Sequence, residues 1–204
     1  MTLERTRYFY GQVLGVDDFA REQEYFRAKA RRHNRMLHGY GVVCGLRLRA
    51  EPAGTVTIEP GYALDPHGEE IAVEREVVVD LGTEDAEGNS VGACAGEEAS
   101  GALVAVERPL GKPFYIAIRY AECDVGPVPV ASESGDETVE YSRTREGFVV
   151  RVLTALPAGY QTPGDCLEPP SEPWVILGEV VLESGNKISS IDCSSRRRVP
   201  RTAV

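Results

Sequence analysis

The sequence has no CxxC pair and no apolar run approaching the roughly 20 residues that cross a bilayer, and its one tryptophan is Trp174. Zinc ribbons need ligands paired at short spacing. Here the five cysteines (Cys44, Cys94, Cys123, Cys166 and Cys193) are scattered and odd in number, so reduced thiols without zinc are expected. The opening residues MTLERTRYFYGQ lack the apolar stretch of a secretory signal. The chain is therefore expected to be made in the cytoplasm and not to insert in a membrane. Basic residues are also outnumbered: 22 Lys and Arg against 32 Asp and Glu give a formal charge of −10. That sign excludes general binding to nucleic acid, whose phosphates call for a basic surface.

Catalytic patterns are missing as well. No GxxxxGK[ST] loop is present, and no GxGxxG leads from a strand into a helix. GYGVVCG, residues 39–45, lacks the serine of a nucleophile elbow and runs from helix to strand, the wrong direction. Of the three histidines, His33 and His38 close the helical region and His67 sits in the turn DPHG. Acid–base or nucleophilic work needs a further orienting group, and no motif supplies one. His33 is read as a packed group on the helix's apolar stripe, and His38 as a favourable charge at the helix end. Cys44, in a Val-Val-Cys run, is read as a small buried hydrophobe. No catalytic residue, cofactor or metal ligand is assigned, and the chain is not expected to be an enzyme.

What is present reads as a globular chain. Apolar residues make up 42% and charged residues 26%, ordinary values for a protein that buries a core. Phe19, Phe26, Ala30, His33 and Leu37, with Gln23 at the missing step, recur at intervals of three and four. The spacing predicts an amphipathic helix over 16–38, capped by Gly15 or Asp17 and stopped at Gly39. Strand patterns follow. GLRLRA alternates leucine with arginine, Val56 and Ile58 share one side, and Ile71, Val73 and the Val77–Val79 run come after the DPHG turn. Further strands are predicted in FYIAIRYAE, TVEYSRTRE, FVVRVLTAL, WVILGEVVLE and KISSIDCSS. The fold class is α+β: a long N-terminal helix, then predominantly antiparallel β of sandwich or barrel type. Residues 1–81 are read as helix plus β unit, 82–101 as a flexible acidic glycine-rich loop, and 102–204 as a second β unit. A proline-rich connector spans 157–173 within that unit.

Positive charge gathers in RAKARRHNR (27–35) and RRRVPR (196–201). On an acidic protein such patches suit an acidic neighbour. Arg27, Arg31, Arg32 and Arg35 on the helix are the first set of candidate docking residues. Arg196, Arg197, Arg198 and Arg201 are the second, in a tail that Pro200 is expected to carry away from the sheet as an arm.

Three segments bear a family resemblance. RYFYGQVLGVDDFAREQEYFRAKARRHNRMLHGYGVVCGLRL resembles the N-terminal part of proteins found with phage-like contractile injection systems. TVTIEPGYALDPHGEEIAV looks like a β element of phage baseplate and tail-fibre attachment proteins, and VILGEVVLESGNKISSIDCSSRRRV is similar to tail proteins. Together they cover roughly half the chain, in order. The resemblance implies a structural subunit at a baseplate or tail tip, with other baseplate or tail proteins and further copies of itself as partners. It carries no catalytic residues. From another class, a β-sandwich module binding a surface ligand such as a carbohydrate would need exposed aromatics, for which Tyr160 and Trp174 are the candidates.

Overall fold

The computed structural model describes residues 3–81, 91–92, 102–103, 111–131, 137–160, 170, 172–184 and 187–200. Most of the predicted 82–101 loop, much of the proline-rich connector, Cys94, Cys166 and Arg201 lie outside them. The helix α1 (Val16–His33) opens the described secondary structure and passes into a π-helical turn, Asn34–His38. Gly15 caps it, donating its N–H to Asp18 Oδ2 at 3.0 Å, and Asp17 and Asp18 sit at the positive end of the helix dipole. Gly39, at φ 72°, ends it. The predicted helix over 16–38 thus exists, with its last five residues wound in π form. The i to i+5 spacing of that turn brings the His33 and His38 rings edge to face at 5.4 Å.

Twelve strands follow: β1 (Gly41–Gly45), β2 (Leu48–Glu51), β3 (Thr55–Ile58), β4 (Gly61–Leu64), β5 (Glu70–Val73) and β6 (Val77–Asp80) are the first half. The second half is β7 (Val91–Gly92), β8 (Ala102–Leu103), β9 (Pro113–Ala131), β10 (Glu137–Leu153), β11 (Val175–Glu183) and β12 (Lys187–Asp192). They form three sheets, in the orders β1-β4-β5, β2-β3-β6-β8 and β12-β11-β9-β10-β7. Every pairing between these strands is antiparallel except that of β6 with β8. The class is α+β, as the sequence predicts.

GLRLRA, expected as one strand, is broken between β1 and β2. Gly45 and Leu46 take φ of 60° and 52°, and Leu46 donates its N–H to the Pro60 carbonyl at 3.2 Å. A left-handed leucine costs on the order of 1–2 kcal/mol. Full burial of its side chain, about 1.5–3 kcal/mol, offsets that cost. One core then gathers the alternate residues of many strands: Val56 and Ile58, Ile71 and Val73, Ile116 and Ile118, Val175 and Leu177. It draws on both sides of the 82–101 segment. A smaller cluster, Ala117, Tyr160, Trp174 and Ile176, uses the intervening residues of β9 and β11, so this sheet is covered on both faces.

Tyr160 and Trp174 are therefore not an exposed platform. Each is 4% exposed, which corrects the expectation for a ligand-binding pair. Tyr160 accepts from the Arg197 N–H, its carbonyl accepts from the Tyr40 hydroxyl, and Trp174 lies under the Arg119 guanidinium.

The basic tail is also no free arm as far as Pro200. The Val42 N–H donates to the Arg197 carbonyl at 2.9 Å, and the Val199 N–H returns to the Val42 carbonyl at 3.1 Å. These bonds sew the tail parallel to β1. Arg196 turns inward and donates to the carbonyls of Leu177 (2.8 Å), Leu46 (2.7 Å) and Gly45 (3.4 Å). Burial pushes its guanidinium below the ordinary arginine value. The left-handed break at Gly45 and Leu46 leaves carbonyls without a ladder partner, and Arg196 satisfies them.

β9 and β10 run far past the core. No described residue of β9 beyond Tyr120, nor of β10 before Val150, is buried. Their outer halves, paired from Ala121↔Gly147 to Ala131↔Glu137, make a two-stranded ribbon roughly 35 Å long.

If Arg196 holds the break, Arg196→Met should strand carbonyls that were paired. The expected loss is about 2–4 kcal/mol, read from the urea midpoint. Arg198→Met, at an exposed position, should stay within about 0.5 kcal/mol of the parent.

Candidate docking face

The sequence reads His33 as a packed group on the apolar stripe of α1. The structure reverses this. No residue of α1 is buried. Phe19 is 54% exposed, Phe26 60% and Leu37 68%, and Val16, Gln23, Ala30 and His33 are exposed too. The half-covered positions of α1 and its first following residue are instead Asp18, Glu22, Tyr25, Arg27, Ala28, Arg31 and Asn34. Tyr25, Ala28, Arg31 and Asn34, three residues apart, mark the face turned to the protein, while Asp18 and Glu22 meet the segment before the helix. His33 is thus an exposed residue of the outer stripe.

Polar contacts seat the helix. Arg31 Nε meets Glu69 Oε1 at 2.5 Å. Asn34 donates to the Gly68 carbonyl at 3.0 Å. Arg27 pairs with Glu122 on β9 and lies 3.9 Å from Glu69. Burial works against the Arg27 charge, but Glu122 and Glu69 outweigh it and raise its pKa. Burial raises Glu69 above the ordinary carboxylate value, while Arg31 pulls the other way. Two of the candidate docking arginines, Arg27 and Arg31, therefore face the chain's own carboxylates. Arg32 is exposed, and Arg35 is half-buried with its Nε unpartnered.

The seat itself is the DPHG turn between β4 and β5. Asp65, buried, accepts from the His67 and Glu69 N–H groups at 2.8 and 2.9 Å. Gly68 takes φ +90°, and a Cβ there would overlap the Arg31 carbonyl. Only glycine lets the helix backbone come this close. His67 is exposed.

The segment before α1 extends the outward face. Thr6 donates to the Asp18 carbonyl and the Tyr8 hydroxyl to Glu22, which lays the segment along the first half of the helix. A turn closed by Gln12 N–H on the Phe9 carbonyl follows, with Gly11 at φ 81°. Phe9, Tyr10 and Val13 are exposed there. Exposed aromatic and aliphatic side chains thus occur from Phe9 to Leu37, with Gln23 and His33 among them. A patch of this kind on a water-facing surface marks an interaction site.

No family model matches the chain. No curated protein matches it either. Among solved structures it is similar to a crystal structure of TssK, with TM-score 0.48 and 10% identity, over 94% of this chain and 41% of that one. It is also similar to a chain of the type VI secretion system TssK-TssF-TssG baseplate subcomplex, with TM-score 0.48 and 14% identity, over 94% of this chain and 60% of that one. The chain thus spans about half the length of the solved chains it matches.

Other sites are less developed. A cleft of about 450 Å³ is lined by Val42, Cys44, Arg47, Arg196, Arg198 and Pro200, among others. Cys44 is half-buried there rather than fully enclosed, and Cys193 is exposed. Among the described residues no group of three or more His, Cys, Asp or Glu is placed to hold a metal ion. No described helix is long and apolar enough to cross a membrane. The outward stripe is the feature that periodicity located but oriented wrongly; the DPHG turn ending in glycine was the available signal for the seat.

Gly68→Ala should lift the second half of α1 from the turn. Combined strain and overlap should cost about 1–3 kcal/mol, with faster amide exchange over 27–34. Gly111→Ala has the same sign of φ (+74°) with nothing within 4 Å. It should cost only about 1 kcal/mol and leave α1 exchange unchanged.

Proposed function

We propose that this chain is a structural subunit of a phage-tail-like contractile injection particle, placed at its baseplate or tail tip and acting by assembly rather than catalysis. One observation carries the docking part of the reading: α1 is anchored through charged and polar groups and turns its apolar stripe to solvent. Burying a phenylalanine is worth about 1.5–3 kcal/mol, and the fold leaves Phe19 and Phe26 largely exposed. A partner surface recovers that energy on assembly. The particle class rests on the resemblance of the three segments quoted above. Partners are other baseplate or tail proteins and further copies of this chain, reached after synthesis in the cytoplasm. The carbohydrate-binding alternative loses its two aromatic candidates to the interior.

The test is fractionation of cells that carry this chain naturally. The parent should sediment with purified particles, and Phe19→Asp/Phe26→Asp should remain in the supernatant. Because both positions are exposed, the urea midpoint of the purified variant should match the parent within about 0.5 kcal/mol. Sedimentation of the variant with particles, or absence of the parent from them, overturns the reading.

A further inference from the structure

Val16, Phe19, Gln23, Phe26, Ala30 and His33 are spaced three, four, three, four and three apart. That alternation averages 3.5 residues, the repeat that lets one helix pack along another. All six positions are exposed. Among the described residues α1 is the only α-helix, so the matching helix is not in the described part of this chain.

Charge selects the partner. In the first half of α1, residues 16–25, four carboxylates (Asp17, Asp18, Glu22 and Glu24) accompany one arginine. In the next ten residues five cations (Arg27, Lys29, Arg31, Arg32 and Arg35) accompany no carboxylate; Arg27 and Arg31 are held by Glu122 and Glu69 of the same chain, and Lys29 and Arg32 stay exposed. Two such helices laid parallel set acid beside acid and base beside base. Laid antiparallel, each acidic half faces a basic half, and the two helix dipoles oppose each other as well. We propose that α1 pairs antiparallel with α1 of a second copy of this chain across a two-fold axis, a self-complementary interface. This rests on the docking reading of the same face and names its occupant.

Alternating seam layers fix a register. Phe19 of one copy lies opposite Ala30 of the other, Val16 opposite His33, and Gln23 opposite Phe26. Each of the two large rings meets a smaller or flexible side chain, and the two-fold axis repeats every layer. Glu22 and Lys29 border the seam on one side, and in this register Glu22 of each copy meets Lys29 of the other. Lys29 is exposed and, among the described residues, no carboxylate pairs with it. Glu22 binds the Tyr8 hydroxyl with one oxygen, Oε2, which leaves a second oxygen for the lysine.

Sedimentation equilibrium of the full chain, with charge reversals, tests the pairing. The parent should be a dimer, and Phe26→Asp a monomer. Glu22→Lys and Lys29→Glu should each weaken dimerisation about tenfold, since each turns two attractive pairs into two repulsive ones. The double reversal should restore it. Glu22→Lys also removes the Tyr8 contact, but within one helix positions 22 and 29 lie two turns apart. Recovery in the double variant therefore reports the contact between copies. A parent that stays monomeric at all concentrations overturns the pairing, and so does a dimer indifferent to both reversals. Either outcome is separable from the docking reading itself, which stands or falls on whether the parent sediments with particles and the Phe19→Asp/Phe26→Asp variant does not.

Discussion

The close approach of α1 to the DPHG turn is the constraint on which the candidate site depends. Gly68 admits the Arg31 backbone, Glu69 takes the Arg31 side chain, and Asp65 holds the turn in shape from within. An ordinary amphipathic helix is held by burying its apolar face, and its position then follows from the hydrophobic effect. Here the helix is held by backbone proximity and half-buried charge. That arrangement frees the apolar face, and it does so only while the turn keeps a residue without a side chain at position 68. Surface ion pairs alone contribute little. Arg27 and Arg31 matter because Glu69 and Glu122 are partly shielded from water and bring the turn before β5 and the strand β9 to one helix.

Much of the architecture was legible in the chain. Intervals of three and four residues marked the helix, and alternation marked β3, β5 and β6, because those patterns follow from backbone geometry alone. Glycine and proline marked the turn that became the helix seat. What could not be read was direction. A stripe of Phe19, Phe26 and Leu37 states that one side of a helix is apolar, and says nothing about whether that side meets this chain or another. The helix's other side carries Arg27, Arg31 and Asn34, residue types ordinarily assigned to water, and their partners Glu69, Gly68 and Glu122 are distant in sequence. Nothing local announces such pairs.

The misread aromatics and tail share one cause. Tyr160 and Trp174 flank a proline-rich stretch, and Arg196 to Arg198 follow the last strand, so composition placed both at the surface. In three dimensions they cover the same end of the sheet. Arg197 stacks on Tyr40 at 4.1 Å and hydrogen-bonds Tyr160 through its backbone, while Arg196 reaches three carbonyls. Arginine can be buried in this way because its fork of donors satisfies several acceptors at once. A run of three arginines therefore separates into an inward anchor, a stacked residue and an exposed one, a division that charge counting treats as a single patch.

The long ribbon of β9 and β10 has two outer margins of unequal character. Pro127 and Pro129 lie opposite Tyr141 and Val139 in the ladder. Antiparallel partners alternate between bonded and unbonded pairs, and a proline, which has no N–H, fits only the unbonded kind. The missing donors therefore fall on the outer margin of β9, where an incoming strand would find two successive gaps. That margin is sealed against stacking by other chains, the usual hazard of an exposed strand. The margin of β10 from Thr138 to Glu146 contains no proline. Any extension of this ribbon by another strand is consequently one-sided, giving the ribbon a handedness of growth that its nearly symmetric hairpin shape conceals.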